Sequence, residues 1–424
     1  MQRPKVFFKT FGCRTNLYDT QIMRQNLKDF EHTQDENSAQ IVIINSCTVT
    51  NGADSSVRNY VRRAKEQGKH VMFAGCGVKT QGKTLFEQNL VQGVIGHSHK
   101  ERINELLSLG VAGERFFCDD ALDHIDSTII TEFVGKARAF IKIQEGCDFA
   151  CSYCIIPSVR GRARSFPIEH IIKQVQILLD SGITEIVLTG TNVGSFGRDN
   201  ATSLAKLLKA LFALNGLRRI RIGSLEPSQI DEEFFSLLAH PMLERHLHIA
   251  LQHTHNTMLK IMNRANRFEE DAKLLEKIAA LGFAIGTDFI IAHPGETPEV
   301  WEQAFENLTS LPLTHIHPFI YSVRDGTPSA SMTPRINGTL AKERLHRLNA
   351  HIAKSNRLFR ERIYAQKTPL KILVEKRLGR HLFGLDEFFN KIIIESSAES
   401  KLDSMVWLDI CEYEVQEENN YAKI

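Results

Sequence analysis

The stretch Gly146-Cys147-Asp148-Phe149-Ala150-Cys151-Ser152-Tyr153-Cys154 constrains this 424-residue chain more than any other. It follows an apolar run, Phe140-Ile141-Lys142-Ile143, that reads as a buried strand. Three thiols therefore share one loop at a strand end, at spacings of four and three residues. A structural zinc site takes four protein ligands, usually from two Cys pairs. A cubane iron–sulfur cluster takes one thiolate per iron. Three thiolates with no local fourth leave one iron open to a ligand from outside the chain. A zinc loop, or a packed set of buried thiols, is the alternative.

A second set of thiols emerges from the N-terminal pattern. Val6-Phe7-Phe8 reads as a strand ending near Gly12-Cys13, and Leu17 to Phe30 has helical spacing. Ile41-Val42-Ile43-Ile44 leads to Asn45-Ser46-Cys47, Ala53 to Glu66 is a polar-faced helix, and Val71-Met72-Phe73-Ala74 leads to Gly75-Cys76. This βαβαβ order predicts a parallel sheet with right-handed crossovers. Cys13, Cys47 and Cys76 then fall at the carboxyl ends of three successive strands, the edge where open α/β sheets bind ligands. They read either as a shared metal site or as ordinary buried cysteines.

Eight Cys in a chain of this length do not make a disulfide scaffold. Met1-Gln2-Arg3-Pro4-Lys5 enters the first strand with no signal-peptide h-region, and no apolar run reaches membrane-spanning length. A cytoplasmic location without a membrane partner is expected, where Cys clusters more often mean metal or catalysis. The net charge of +2 neither demands nor excludes a polyanionic partner.

Asp119 to Thr131 is acidic and unpatterned and reads as a linker. Beyond it, strands are expected at Phe140–Ile143, Glu185–Leu188, Ile220–Ile222, His246–Leu251, Ala284–Ile291 and His315–Ser322, with helical patterns between them. Six βα units predict a partial barrel with its chemistry at the C-terminal strand ends; an open doubly wound sheet is the other arrangement. Leu340 to Ile363 is a long basic helix pattern. After Pro369 the period changes, and Leu370–Val374, Lys391–Ile394 and Met405–Ile410 look like strands of a small β-barrel-like unit. The chain is thus read as α/β, with boundaries at 1–118, a linker at 119–135, then 136–366 and 367–424.

Taken together, these features resemble the radical S-adenosylmethionine (SAM) methylthiotransferases over almost the whole chain. Thr10-Phe11-Gly12-Cys13-Arg14-Thr15-Asn16, Asn45-Ser46-Cys47-Thr48-Val49 and Gly75-Cys76 are similar to that family's three auxiliary-cluster motifs. Gly146 to Cys154 with Ile155-Ile156-Pro157 and Arg160-Gly161-Arg162 resembles its radical SAM loop. Leu188-Thr189-Gly190-Thr191-Asn192-Val193-Gly194, the run Arg219 to Pro227, and Pro294-Gly295-Glu296-Thr297 are also similar. The C-terminal unit resembles its RNA-binding TRAM domain, more weakly.

The resemblance implies an N-terminal methylthiotransferase domain, a (β/α)6 radical SAM barrel and two [4Fe–4S] clusters. The cluster on Cys147, Cys151 and Cys154 would cleave SAM to a 5′-deoxyadenosyl radical. The cluster on Cys13, Cys47 and Cys76 would carry the sulfur that is methylated and inserted into an unactivated C–H bond. Tyr153, Thr189, Gly190, Thr191 and Glu226 fall at its SAM-contacting positions. An electron donor of the reduced flavodoxin or ferredoxin type and a sulfur source are implied as partners. Cys118 and Cys411 match no motif and read as non-ligands.

The residues after Cys13 and Cys47 look most like the branch acting on N6-threonylcarbamoyladenosine in the anticodon stem-loop of tRNA. The isopentenyladenosine branch usually has Gln after the first Cys, and the ribosomal-protein branch Lys-Asn. Methylthiolation of either of those substrates remains an alternative, as does a non-enzymatic iron–sulfur electron carrier or redox sensor. Gln252-His253-Thr254-His255-Asn256 and Ile291-Ala292-His293-Pro294-Gly295 depart from the family's Gln-Ser-Gly-Ser and Val-Gly-Phe-Pro-Gly. His253, His255 and His293 either touch the SAM pocket or are locally hydrogen-bonded. Basic stripes at Arg58, Arg62, Arg63 and Lys65, at Arg160, Arg162 and Arg164, and at Arg344, Arg347, Lys354, Arg357, Arg360 and Arg362 suit phosphate contacts. The C-terminal unit is acidic, seven Lys or Arg against eleven Asp or Glu from Thr368 on. Its basic edge, Lys371, Lys376, Arg377 and Arg380, would be the RNA-facing one, with Phe383 or Phe388 for stacking.

Overall fold

Six strands form the N-terminal sheet of the computed structural model, which describes residues 3–119, 122–133, 136–397 and 402–424. They are β1 (Lys5–Thr10), β2 (Glu31–His32), β3 (Ile41–Ser46), β4 (His70–Gly75), β5 (Gly93–Ile95) and β6 (Phe116–Cys118), all parallel, in the order β2-β1-β3-β4-β5-β6. The run Ile41-Val42-Ile43-Ile44 is apolar throughout because helices cover both faces. Ile41 and Ile43 pack into one core and Val42 and Ile44 into the other. The expected βαβαβ lies at the centre of this sheet. The edge strands β2 and β6, and β5 beside β6, are two or three residues long, too short to stand out in the sequence. The helix expected to reach Phe30 stops at Gln25.

The acidic segment after β6 contains no helix or strand among its described residues; Asp120 and Ala121 lie outside them. It is not a loose linker, because Asp126 and Ile130 are buried.

The central strands are β7 (Ala139–Glu145), β8 (Arg164–Ser165), β9 (Glu185–Gly190), β10 (Arg219–Ile222), β11 (His246–His248), β12 (Ala284–Ile291) and β13 (His315–Ile320). β8 is a short antiparallel addition beside β7. The other six run parallel in chain order, β7-β9-β10 and β11-β12-β13, and two bridges, Ile220 to Leu243 and Leu225 to Ile249, join the two sets. No strand order reverses, so this is a partial barrel and not a doubly wound sheet. Alternation along β12 sets the faces: Ile285, Phe289 and Ile291 join the core against the helices, while Gly286, Asp288 and Ile290 face the barrel's inside. The helix Arg14–Gln25 of the N-terminal unit adds Tyr18 and Ile22 to this same core.

The helix Gly338–Ala365, capped by Asn337 accepting from the Thr339 amide at 2.7 Å, leads to the C-terminal sheet. This comprises β14 (Leu370–Leu378), β15 (His381–Leu385), β16 (Lys391–Glu395), β17 (Trp407–Ile410), β18 (Glu414–Val415) and β19 (Asn420–Lys423), in the order β17-β14-β15-β16-β19-β18. Only β16 and β19 pair in parallel. β15 escapes a sequence reading because Gly384 interrupts it. A side chain there would meet the Leu373 carbonyl at 2.6 Å, so close strand approach requires the glycine.

Candidate active site

β1, β3 and β4 end at Thr10, Ser46 and Gly75, and the loops that follow carry Cys13, Cys47 and Cys76. Hydrogen bonds tie the three loops together. Asn16 donates to the carbonyls of Phe11 (2.8 Å) and Ser46 (2.9 Å), Asn45 donates to the Asn16 carbonyl (2.7 Å), and the Cys76 amide donates to the Ser46 carbonyl (3.0 Å). Gly12 has φ +97°, and a Cβ there would lie 2.9 Å from the Cys47 sulfur. Only glycine lets the first loop approach the second so closely. Cys47 and Cys76 are buried and Cys13 is exposed.

The second set of thiols occupies the loop after β7. Gly146 has φ +78°, and a side chain there would collide with the Arg162 carbonyl, while the Cys147 amide donates to Gly161 (3.1 Å). Thr191, past the end of β9, accepts from the Gly146 amide at 3.2 Å, and Asn192 donates to the Cys147 sulfur at 3.6 Å. On the far side, the Ser152 amide donates to the Met262 carbonyl (3.0 Å) and Asn263 to the Ala150 carbonyl (2.7 Å). The loop is thus anchored on one side past the end of β9 and on the other to the C-terminus of the helix Asn256–Ile261.

A buried ionic network lies between the two sets. Lys142 donates to Asp19 (2.8 Å), Asp126 (2.6 Å) and Glu145 (3.0 Å), and Lys100 to Asp19 (2.9 Å) and Asp126 (3.1 Å). Arg160 donates to Glu145 (2.7 Å), Asp19 (3.0 Å), Asn16 (2.5 Å) and the Cys76 sulfur (3.2 Å). Burial alone would raise Asp19, yet Lys100, Lys142 and Arg160 hold it well below the carboxylate range. One guanidinium therefore spans from an auxiliary thiol to Glu145, two residues before Cys147. Sequence reading placed Arg160 among phosphate contacts, but it is 2% exposed and committed here. Asp19, Lys142 and Asp126 were not singled out, since lone charges in apolar patterns give no sign of their partners.

Both donor sets suit a polynuclear cation. Burial, opposed by Arg160 and reinforced by Cys13 and Cys47, pushes Cys76 up to about 12; burial, with Cys151 and Cys147 adding repulsion, pushes Cys154 up to about 12. A metal deprotonates coordinating thiols outright and would offset this cost. Cys118 ends β6, two strands from β4, and Cys411 follows β17 in the C-terminal sheet.

Tyr153 packs with Met258, Met262 and Ile290, with its ring edge toward His293. Glu226 pairs with Arg264, which donates at 2.7 Å. Burial raises the Cys151 thiol, opposed by the charge and hydrogen bond of Arg264. Arg264 thus sits between Cys151 and Glu226, a position with no signal in the sequence. The three atypical histidines are locally satisfied. His253 bonds Glu296 at 3.2 Å, His255 accepts from the Thr257 amide at 3.2 Å, and His293 lies between the Pro294 carbonyl and Ser329, each 2.8 Å away.

Several expected RNA contacts are structural instead. Arg344 is buried against Glu296 (2.5 Å), and Arg360 is buried against the Asn419 and Glu417 carbonyls (both 2.8 Å). They fasten the long helix to the barrel and to the C-terminal sheet. Arg347 pairs with Glu302, and Arg357 with Glu361. Phe388 is core, whereas Phe383 is half-buried under Lys376, 5.0 Å from the ring centre. Arg62, Arg63, Lys65, Arg162, Lys354 and Arg362 remain exposed.

The model of the uncharacterized protein family UPF0004 matches residues 5–96, and that of the radical SAM superfamily matches residues 141–308. A Helicobacter pylori protein provisionally named a methylthiotransferase, with no substrate specified, is 56% identical over 99% of both chains. A threonylcarbamoyladenosine tRNA methylthiotransferase of Bacillus subtilis is 36% identical, covering 87% of this chain and 83% of its own. A tRNA-2-methylthio-N(6)-dimethylallyladenosine synthase of Agrobacterium fabrum is 30% identical over 92% of each. Among solved structures, a radical SAM methyltransferase from Kitasatospora setae with cobalamin and a [4Fe–4S] cluster bound superposes with a TM-score of 0.61 at 16% identity, covering 78% of this chain and 77% of its own. That likeness establishes the fold. [4Fe–4S] clusters and SAM are the cofactors of the radical SAM transferases. No helix among the described residues is long and apolar enough to cross a membrane.

Proposed function

The chain belongs to the radical SAM methylthiotransferases, and on that footing we propose that it places a methylthio group at C2 of N6-threonylcarbamoyladenosine beside the anticodon of tRNA. The observation that supports the reaction is one buried guanidinium, Arg160, that runs from the Cys76 sulfur of the first thiol set to Glu145, two residues before the second set begins at Cys147. In this reading residues 1–118 hold the auxiliary site, 136–366 the radical site, and 367–424 form the RNA-side unit, joined by 119–135.

Cys147, Cys151 and Cys154 hold one cluster, Cys13, Cys47 and Cys76 the other. When bound, these groups supply the electron for homolysis of SAM and the sulfur for insertion into a C–H bond, chemistry that protein acids and bases do not provide. The chain supplies geometry and a dry cavity. Thr191 fixes the start of the cluster loop through the Gly146 amide, and Asn192 steadies the Cys147 thiolate. Thr189, Gly190 and Thr191 form the strand end that receives the methionine part of SAM. Tyr153 and Glu226 flank the nucleoside part, with Arg264 holding the Glu226 carboxylate in place. Arg160 orients Cys76 as a second-sphere donor.

The choice of nucleoside is supported by Arg14 after Cys13, by Thr48-Val49-Thr50 after Cys47, and by the name of the Bacillus subtilis relative. A tRNA substrate fits a cytoplasmic enzyme. Mass spectrometry of tRNA nucleosides from cells with and without the protein tests the reading. The 2-methylthio form should vanish and its unthiolated parent accumulate. Loss of the isopentenyl derivative instead would overturn the choice of nucleoside, and an unchanged tRNA profile would overturn the substrate class.

A further inference from the structure

The floor of the barrel's inside, at the N-terminal ends of its strands, is crowded with arginines, and all but one are neutralised. Arg138 pairs with Glu185 and Glu375, Arg219 with Glu185 (3.3 Å), and Arg221 with Glu185 (2.7 Å) and Glu244 (2.5 Å). The exception comes from the other unit. Arg14, one residue past Cys13, reaches into this space and lies 5.7 Å from the centre of the Phe389 ring. Among the described residues it has no hydrogen-bond or ion-pair partner. Burial pulls its pKa down from the ordinary arginine value, with Glu244, Arg221 and Arg138 as its charged neighbours. The five donors of this half-buried guanidinium are taken by no group of the chain and are open to a ligand.

The surroundings are built, and their charges are already paired, Arg221 with Glu185 and Glu244. Phe389 has φ +68° and is held there by its loop, in which Asp386 accepts from the amides of Phe388 (2.9 Å) and Asn390 (2.7 Å), and Arg221 donates to the Asp386 carbonyl (2.9 Å). The Phe389 ring stacks on His246 at 5.0 Å and meets His315 edge-on at 6.0 Å. Burial, reinforced by neighbouring cations, keeps both histidines neutral at ordinary pH, His315 at about 4. His246 Nε2 is buried without a partner. The wall offers an aromatic face and a neutral polar nitrogen beside Arg14, while Arg221 on the same ring is paired with Glu185 and Glu244.

We propose that Arg14, with Phe389 and His246, forms the subsite for a carboxylate carried on the N6 substituent of the substrate adenosine. The proposal rests on the nucleoside reading above and adds the residue that recognises it. The planar guanidinium donates two parallel hydrogen bonds to a carboxylate, and a neutral hydrocarbon substituent leaves it unpaired. Its place next to Cys13 puts the recognised group beside the auxiliary site. Glu226–Arg264 and Arg160 are already paired elsewhere and do not compete.

The test uses the reconstituted enzyme and two anticodon stem-loop RNAs. One carries N6-threonylcarbamoyladenosine and the other carries its carboxamide, which differs only in lacking the charge. The wild type should favour the acid by about tenfold to a hundredfold in kcat/KM, the range expected of a charged hydrogen-bonded pair. Arg14→Gln should lose that factor on the acid and nothing further on the amide, and Arg14→Lys should recover part of it. Iron content equal to wild type controls for folding. An acid-to-amide ratio unchanged in Arg14→Gln overturns the subsite while leaving the nucleoside reading intact. A wild type that modifies neither RNA, but does modify one carrying isopentenyladenosine, overturns both.

Discussion

The two sets of three cysteines reach comparable surroundings by opposite routes. Cys147, Cys151 and Cys154 lie within eight residues, on a loop shaped by Gly146 and Gly161 at positive φ. Cys13, Cys47 and Cys76 come from loops scattered over more than sixty residues. They meet only because β1, β3 and β4 are parallel neighbours, and Cys76 receives its second-sphere donor, Arg160, from the other side of the unit boundary. The local site depends on chain conformation, whereas the assembled one also depends on docking. Damage to the interface should therefore reach the auxiliary site before the radical one.

The largest effect expected is on the reaction itself. Cys151→Ala should abolish reductive cleavage of SAM. The triple change Cys13→Ala, Cys47→Ala, Cys76→Ala should leave 5′-deoxyadenosine formation within a few-fold of wild type and abolish sulfur transfer. Chromatographic assay of both products decides it, and equal loss of cleavage in the two variants would erase the distinction between the sites.

The interface offers the next test. Arg160→Met strips Asp19 and Glu145 of a buried partner, and removing one member of such a network costs about 3–5 kcal/mol. The electron paramagnetic resonance signal of the auxiliary cluster should shift, while that of the cluster on Cys147, Cys151 and Cys154 should not. Acid acts on the same contacts. Asp19 and Glu145 titrate below the ordinary carboxylate range when folded, so their contribution is complete above about pH 4.5 and is withdrawn as pH falls below it. Asp386 has the reverse sign. Burial, with Glu387 nearby, raises it to about 7, so its folded state loses stability as pH rises from about 4 to 7. Thermal melts between pH 3 and 8 should show Asp386→Asn flattening the decline between about pH 4 and 7 while leaving the acid limb in place. A wild-type-like slope there would dismiss this residue as its source.

The smallest effects belong to the surface. Arg62→Ala with Arg162→Ala should reduce the salt slope of tRNA binding by about two, one unit for each phosphate no longer neutralised. Arg360→Ala should instead loosen the C-terminal sheet, lowering the melting temperature whatever the salt. If Arg360→Ala changes only the slope, the buried bonds to Glu417 and Asn419 do not hold that sheet.

Much of this was legible in the chain because it is written locally. The cluster loop, the parallel β3 run and the six central strands follow from short apolar windows, and Cys13, Cys47 and Cys76 stood out by their shared place at strand ends. The ionic network did not, since Asp19, Lys100, Asp126, Lys142 and Arg160 come from five segments with no common pattern. The basic stripe misled for a related reason. Charge periodicity in Gly338–Ala365 marks every helix face that carries Arg, yet Arg344 and Arg360 spend their charge on Glu296 and on backbone carbonyls. Burial decides that, and burial is a property of the fold.

Iron and sulfide analysis of the anaerobically reconstituted protein, beside both triple cysteine variants, tests the two-site account most directly. The account predicts two [4Fe–4S] clusters per chain in the wild type and one in each variant. A wild type with a single cluster, or a variant at Cys147, Cys151 and Cys154 that loses all its iron while still folded, would contradict it.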